Sequence, residues 1–561
     1  MRYIKNLLIA GALFSMTSCD FLDTTPSDFI DPESFYQTES ELNQALAGVY
    51  STISSSNIYG GLYSVLAQTD DLCYYWRNTI PVGIYNNNYG TSESSVADMW
   101  AELYSGISNA NMLLAKLPDS KVSEEVRSRI EGETRGLRAF YYFLLAQCWG
   151  DVPMPQNLKA DLGEVVIDLE QTSQEKVLDY VVSELTQVET LVADIRDCVP
   201  GHLNKSAVRG LLMRVNLKLA GYPINRTSAY EEVVKWGKKI QADNYHELNP
   251  DYTQVFINMA SDIHETKESI WEAEFKGNRA DAHQQSGRIG NYNGIQNTDL
   301  SDESVGYSYG FISCTLNLWD LYGDINGDGE SNYASGDPSE FVDFPDMRRD
   351  WNIAPYIYKS GTDGKFHRNY WNSKGQPAYD GKGNLTGATA TTSVYTSRNA
   401  AKFRREYEVV TPRDKNYTPI NFPIVRYADV LLMLAEAENE VNQGPTALAY
   451  DCVNEVRQRA HVVTVSGMDY DQFKRLIKDE RGRELCFEAL RKYDLIRWGD
   501  YQNAMAKVNT YVVSDSRWTA GDNYAKYYSA NAANDARYMW LPIPTKELGL
   551  NRLLKQNPVW Q

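Results

Sequence analysis

Residues 69–89, TDDLCYYWRNTIPVGIYNNNY, set flat aromatic rings among side chains that make directional, often bidentate hydrogen bonds. Rings meet apolar C–H faces at low entropic cost, and Asp, Asn and Arg meet hydroxyl groups. Such a mixture suits a ligand with both surfaces, as a sugar has. The candidates in this stretch are Asp71, Tyr75, Trp76, Arg77, Tyr85 and Asn88, with Trp76 as the central platform. A second polar, ring-bearing region adds Tyr292, Asn293, Arg368, Trp371 and Tyr395. Any one of these rings has an equal claim to packing at the edge of a core.

Other chemistries find less support. Asp324, Asn326 and Asp328 alternate ahead of Gly329 and Glu330, as in the first half of a calcium loop, where alternate oxygens on a tight turn converge on one hard cation. The twelfth position is Ser335, so the bidentate closing carboxylate is missing and Asp337 is its candidate replacement. A solvated Asx/Gly turn fits the same residues equally well. Any calcium here would brace the loop, and no cofactor is required. Residues 306–310, Gly-Tyr-Ser-Tyr-Gly, fit the G-x-S-x-G string of a nucleophile elbow, but a polar segment precedes them where an apolar strand is needed. The six His are scattered, with no H-E-x-x-H, P-loop or dinucleotide fingerprint. An enzyme is therefore not expected. Six Cys follow Cys19 without a C-x-x-C pair, which fits neither a disulfide scaffold nor a zinc site. The net charge of −19 argues against nucleic acid, and less strongly against polyanionic ligands, so a neutral glycan is favoured.

These groups need a scaffold, and helical periods supply it. Met99, Leu103, Ile107, Ala110 and Leu114 form one apolar stripe, as do Leu137, Tyr141, Leu144, Leu145 and Cys148. Ser123 is the expected start of the second helix and Gly150 its end. Further helices are expected over 173–194, 204–221, 228–243, 426–443, 445–460 and 469–498. The pair from Arg426 to Ala460, turning at Gly444-Pro445, has the length of a tetratricopeptide unit. The expected class is mainly α: a helical scaffold of degenerate, interrupted tetratricopeptide-like pairs carrying a long loop-rich insertion. Residues 19–276 form its N-terminal part, 277–425 the insertion, and 426–561 the C-terminal repeats and tail. The loop 69–95 and the insertion are expected to meet on one face. Ahead of these, Arg2 and Lys5, the apolar run Leu7 to Met16 and Thr17-Ser18-Cys19 read as a secretory signal over residues 1–18. It resembles a bacterial lipoprotein signal, with Cys19 as the lipid-bearing residue.

Six blocks in order resemble the SusD-like (RagB-like) outer-membrane lipoproteins of Bacteroidetes. They are Cys19 to Asp23; Trp100 to Tyr104 with Asn109 and Asn111; Gly132 to Pro153; RYADVLLMLAEAENE from Arg426; ERGRELCFEALRKYDLIRWG from Glu480; and Leu541 to Pro544 through Gln556 to Pro558. The resemblance implies a helical body with four tetratricopeptide-like pairs and a ligand face built from loops. It also implies a SusC-like TonB-dependent β-barrel partner and a lipid-anchored protein on the exterior of the outer membrane. Most of these blocks are structural. In Glu480 to Gly499, the charges Arg481, Glu484, Glu488, Arg491, Asp494 and Arg497 step by three and four, as an ion-pair ladder along one helix would. The function expected is non-catalytic capture of an oligosaccharide for delivery to the transporter. Peptide capture, a secreted glycan hydrolase and a purely architectural repeat protein are the competing readings.

Overall fold

The structure is a computed structural model that describes residues 35–76, 82–155, 168–279, 285–300, 304–323, 346–360, 366–370, 398–515, 518 and 524–561. Cys19, Arg77, Trp371, Tyr395 and the calcium-loop residues Asp324, Asn326, Asp328, Glu330 and Asp337 lie outside them.

Helix boundaries follow local chemistry. Thr38 and Glu41 form a reciprocal capping box that opens the helix Glu39–Ser54. The Ser123 hydroxyl accepts the Val126 N–H at 3.3 Å and starts Glu124–Trp149, which Gly150 ends at φ +80°. Its stripe is buried, and so is that of Ser94–Lys116, except that Leu113 takes the inward place expected of Leu114. Where these helices meet Glu39–Ser54, Gly106 permits the approach. A Cβ there would stand 2.7 Å from Thr52 Oγ1 and 2.8 Å from the Tyr141 ring.

Most of the remaining long helices pack in sequence-adjacent pairs. Gln174–Val188 lies on Glu124–Trp149, Lys205–Ala220 on Ala229–Ala242, Tyr427–Asn442 on Ala447–Arg459, and Tyr501–Ser514 on Tyr524–Asn534. Tyr427–Asn442 is buried at every position from Tyr427 to Asn439 and also touches Ala229–Ala242 and Tyr470–Leu485, so it is the central element. The molecule is thus mainly α-helical, as expected.

Charge pins this helix as well as apolar contact. Asp429 lies between Arg481 (2.8 Å) and Arg214 (2.7 Å). Burial alone would raise its carboxyl, but the two guanidiniums outweigh that and hold it at about 2.

The expected ladder over 480–499 is not one. The helix ends at Leu485, Phe487 and Ala489 take positive φ, and a second helix runs Arg491–Arg497. The charges are buried and reach across to other elements. Glu484 accepts from Arg426 (3.2 Å), Arg459 (2.6 Å) and Arg348 (3.0 Å), and Glu488 from Arg426 and Lys402, each at 2.7 Å. Arg348 and Lys402 belong to the insertion and Arg426 directly follows it, so this network fastens the C-terminal side of the insertion to the helical body.

Four two-stranded antiparallel sheets complete the fold: β1 (Cys73–Tyr75) with β5 (Ile312–Cys314), β2 (Val152–Pro153) with β3 (Gln171–Thr172), β4 (Ser269–Ala273) with β8 (Phe422–Arg426), and β6 (Tyr356–Ser360) with β7 (Phe366–Tyr370). The described part of 277–425 is accordingly not all loop. Besides β5, β6 and β7 it carries short helices at Ile289–Tyr292, Leu316–Gly323 and Arg348–Asn352.

Candidate functional site

The β1–β5 pair brings the two irregular regions together. Cys73 faces Cys314 and Tyr75 faces Ile312, and the ladder continues as Trp76 N–H donates to the Phe311 carbonyl at 2.9 Å. Successive residues of a strand point to opposite faces. Tyr74 is therefore buried against Tyr528, while Tyr75 remains part-exposed on the other side. The same alternation runs through residues 306–311. Ser308 is buried, whereas Tyr307 and Tyr309 are part-exposed on the opposite side and lead into buried Phe311.

Phe311 is the hub of an aromatic cluster. Tyr309 stacks on it at 4.6 Å between centroids and 18° between planes, Tyr292 lies at 5.1 Å, Tyr75 at 5.2 Å, and Trp76 meets it edge-on at 6.5 Å. Tyr85 stacks on Tyr75 at 4.4 Å, and Tyr307 meets Tyr309 edge-on at 4.8 Å. Pairs of this kind contribute about 0.5–1.5 kcal/mol each beyond area burial. The rim rings are therefore held before any ligand arrives, which lowers the entropic cost of binding.

Polar groups fix their orientation. The carbonyl of Gly310 accepts both the Trp76 indole N–H and the Asn399 amide (2.8 Å). Arg288 donates to the Tyr292 hydroxyl at 2.6 Å and to the Tyr417 hydroxyl at 3.4 Å. Burial pushes the Tyr85 phenol well above its ordinary value, so it presents a neutral hydroxyl.

Of the sequence candidates, Tyr75, Trp76, Tyr85 and Tyr292 are brought together here. Asn88 is exposed at the end of the Gly83–Asn88 bridge in the loop that carries Tyr85. Three candidates are placed otherwise. Asp71 is 2% exposed, accepts a bidentate pair from Arg491 (2.8 and 2.9 Å) and an Asn317 amide bond (2.8 Å), and so anchors β1 to the body where no ligand reaches it. Asn293 is 1% exposed, and its amide finds no partner among the described residues. Arg368 sits on β7, paired with Glu406 at 2.9 Å and over the Tyr356 ring at 5.0 Å, away from the Phe311 hub. Sequence reasoning missed Tyr307, Tyr309, Phe311, Arg288 and Tyr417. The period-two alternation of GYSYGF was the available signal for the first three.

The cluster offers planes and hydroxyls. Ser308 donates its hydroxyl to the Gly290 and Asn291 carbonyls, both at 3.2 Å, and is not presented on an elbow. Among the described residues no group of three or more His, Cys, Asp and Glu could hold a metal ion, and no helix is long and apolar enough to cross a membrane. A cleft of about 760 Å³ lies elsewhere, between Glu39–Ser54, the turn at 199–202 and β4. Its one phenol, Tyr50, gives its hydroxyl proton to Glu133 at 2.6 Å, so it lacks the array of planes found at Phe311.

Comparison with known proteins bears on this geometry. Residues 267–560 match the family model described as "SusD family", and residues 20–217 the model "Starch-binding associating with outer membrane". The chain is 27% identical to SusD-like protein P25 of Formosa agariphila, over 99% of this chain and 98% of that one. It is 22% identical to starch-binding protein SusD of Bacteroides thetaiotaomicron, over 87% and 83%. A crystal structure of a SusD homologue from Bacteroides thetaiotaomicron superposes with a TM-score of 0.81 at 25% identity, covering 94% of this chain and 98% of that one.

Proposed function

Because the chain belongs to the SusD family, we propose that it is a non-catalytic lipoprotein that captures an oligosaccharide on the Phe311 cluster and passes it to a SusC-like TonB-dependent β-barrel transporter. Lipid on Cys19 holds it to the outer membrane, facing the exterior. The observation that carries this reading is the array of part-exposed rings, Tyr75, Trp76, Tyr85, Tyr292, Tyr307 and Tyr309, pre-packed around one buried phenylalanine. Planes of this kind meet the C–H faces of sugar rings, and the phenol hydroxyls at their edges exchange hydrogen bonds with sugar hydroxyls. The starch-binding name of one relative and the outer-membrane description of the matching model support it. Capture breaks no bond, so the site needs no nucleophile and no cofactor.

A glycan array followed by calorimetry on the hits tests the binding. Trp76→Ala and Tyr309→Ala should each weaken a hit by about tenfold or more, and unchanged affinity in both would remove the assignment. Co-purification of a β-barrel with the tagged lipoprotein tests delivery.

A further inference from the structure

Cations in this chain are usually spoken for. Arg348, Arg426, Arg481, Arg491 and Arg497 each face at least one carboxylate within 3.0 Å. Three cations around the aromatic cluster are exceptions. Arg279 lies 3.8 Å over the Tyr417 ring, Arg288 lies 5.1 Å from the same ring while bonding the Tyr292 hydroxyl, and Lys415 lies 5.0 Å over Tyr307 and 6.0 Å from Tyr309. None of the three forms an ion pair with a described carboxylate. The buried Arg288 Nε–H also finds no acceptor among the described residues. The acids nearby are already engaged. Asp414 accepts the backbone N–H groups of Asn416 (2.7 Å) and Tyr417 (2.8 Å), and Glu408 is held by Arg405 at 2.8 Å. On the far side of the cluster, Glu93 accepts the Ser95 N–H at 3.3 Å. In a protein of net charge −19 this is a local positive field beside the stacking planes. Tyr417 registers it: the Arg288 hydrogen bond and the surrounding guanidinium charge lower its phenol from the ordinary value.

A guanidinium stacked on a ring, as that of Arg279 is on Tyr417, keeps its N–H edge free, and that edge matches the paired oxygens of a carboxylate or a sulfate. We infer that the oligosaccharide taken at the Phe311 cluster carries anionic substituents, uronate carboxylates or sulfate esters, which are received by Arg279 and Lys415, with the Arg288 charge beside them, while the sugar rings lie on the aromatic planes. This rests on the carbohydrate reading above and reverses the expectation of a neutral glycan drawn from net charge. The chain-wide balance acts at long range and is screened, whereas the three cations act within contact distance of the ligand.

The test is an array of matched pairs read with the full chain: polyuronate oligosaccharides beside their methyl esters, and sulfated galactans beside their desulfated forms. The charged member of at least one pair should bind about tenfold tighter than its neutral partner. That advantage should shrink at roughly 1 M salt, where the Debye length is about 3 Å. It should also shrink in the double variant Arg279→Gln/Lys415→Gln, whose side chains are both exposed, so the fold is retained. Preference for uronate or for sulfate pairs identifies the substituent. Equal affinity within pairs, or full preference retained in the double variant, overturns the inference. If only neutral glycans bind and Trp76→Ala abolishes that binding, the inference falls and the carbohydrate reading stands. If no glycan of either kind binds, both fall.

Discussion

Asp71 separates a ligand-binding role from a structural one, and Asp71→Asn tests the difference. The carboxylate is buried, takes two hydrogen bonds from Arg491 and one from Asn317, and belongs to the segment that leads into Trp76. An amide at this position has no charge and one oxygen. Arg491 would then remain buried with its bond to the Lys478 carbonyl (2.7 Å) and no full carboxylate at this position. Breaking a buried pair from one side costs about 3–5 kcal/mol. Part of that returns, because Asp70 is raised to about 7, first by burial and next by the Asp71 charge, and the substitution removes the second contribution. A net loss of about 3 kcal/mol, roughly a hundredfold in the folding equilibrium, is therefore expected. Urea unfolding of the wild type, Asp71→Asn and Trp76→Ala, with calorimetry on a glycan hit under native conditions, reads both quantities. Asp71→Asn should lower the unfolding midpoint and leave the affinity of the folded fraction within about twofold, whereas Trp76→Ala should do the reverse. An unchanged midpoint with a tenfold loss of affinity in Asp71→Asn would refute the structural role and return the residue to the ligand.

Further outcomes follow from other parts of the molecule. Gly106→Ala places a methyl against Thr52 and the Tyr141 ring, and should destabilise by about 1–2 kcal/mol in thermal or urea unfolding, because overpacking exceeds the gain in helix propensity. Acid should unfold the protein through carboxylates whose folded pKa is depressed. Asp429, Glu436 and Glu484 would each be raised by burial, but Arg partners hold them at about 2. The stability they contribute is complete above the unfolded values of about 4–4.5 and is lost as pH falls towards 2, which circular dichroism across that range would follow. Prolonged incubation with bound glycans should release no reducing ends, and a steady rise that survives re-purification would instead indicate a hydrolase.

Local chemistry made much of the scaffold readable. Ser123 and Gly150 bound their helix because a hydroxyl cap and a left-handed glycine act within a few residues of themselves. The charges of 480–499 misled for a physical reason. A spacing of three and four is shared by an exposed ladder and by a buried helix whose partners lie elsewhere, and nothing local reports the reversal at Phe487 and Ala489. At the candidate site, the grouping of Tyr75, Trp76, Tyr85 and Tyr292 is legible because rings in polar chain need a reason to be there. Asp71 was not, since Arg491 lies 420 residues away in the chain. Tyr307 and Tyr309 were hidden by the serine between them, which drew attention to a catalytic string rather than to the alternation it interrupts. Net charge averages over the surface, while Arg279, Arg288 and Lys415 are brought to the rings of Tyr417 and Tyr307 only by folding.

The pairing of Cys73 with Cys314 bears on when the proposed binding site can form. About 240 residues of chain separate those strands, and closures that distant are entropically expensive and slow. Helical hairpins in either third can form early, yet no half-made chain owns a docking platform. Recognition is thereby reserved for finished molecules, and during refolding the capacity to hold ligand should return later than the far-ultraviolet signal of the coils.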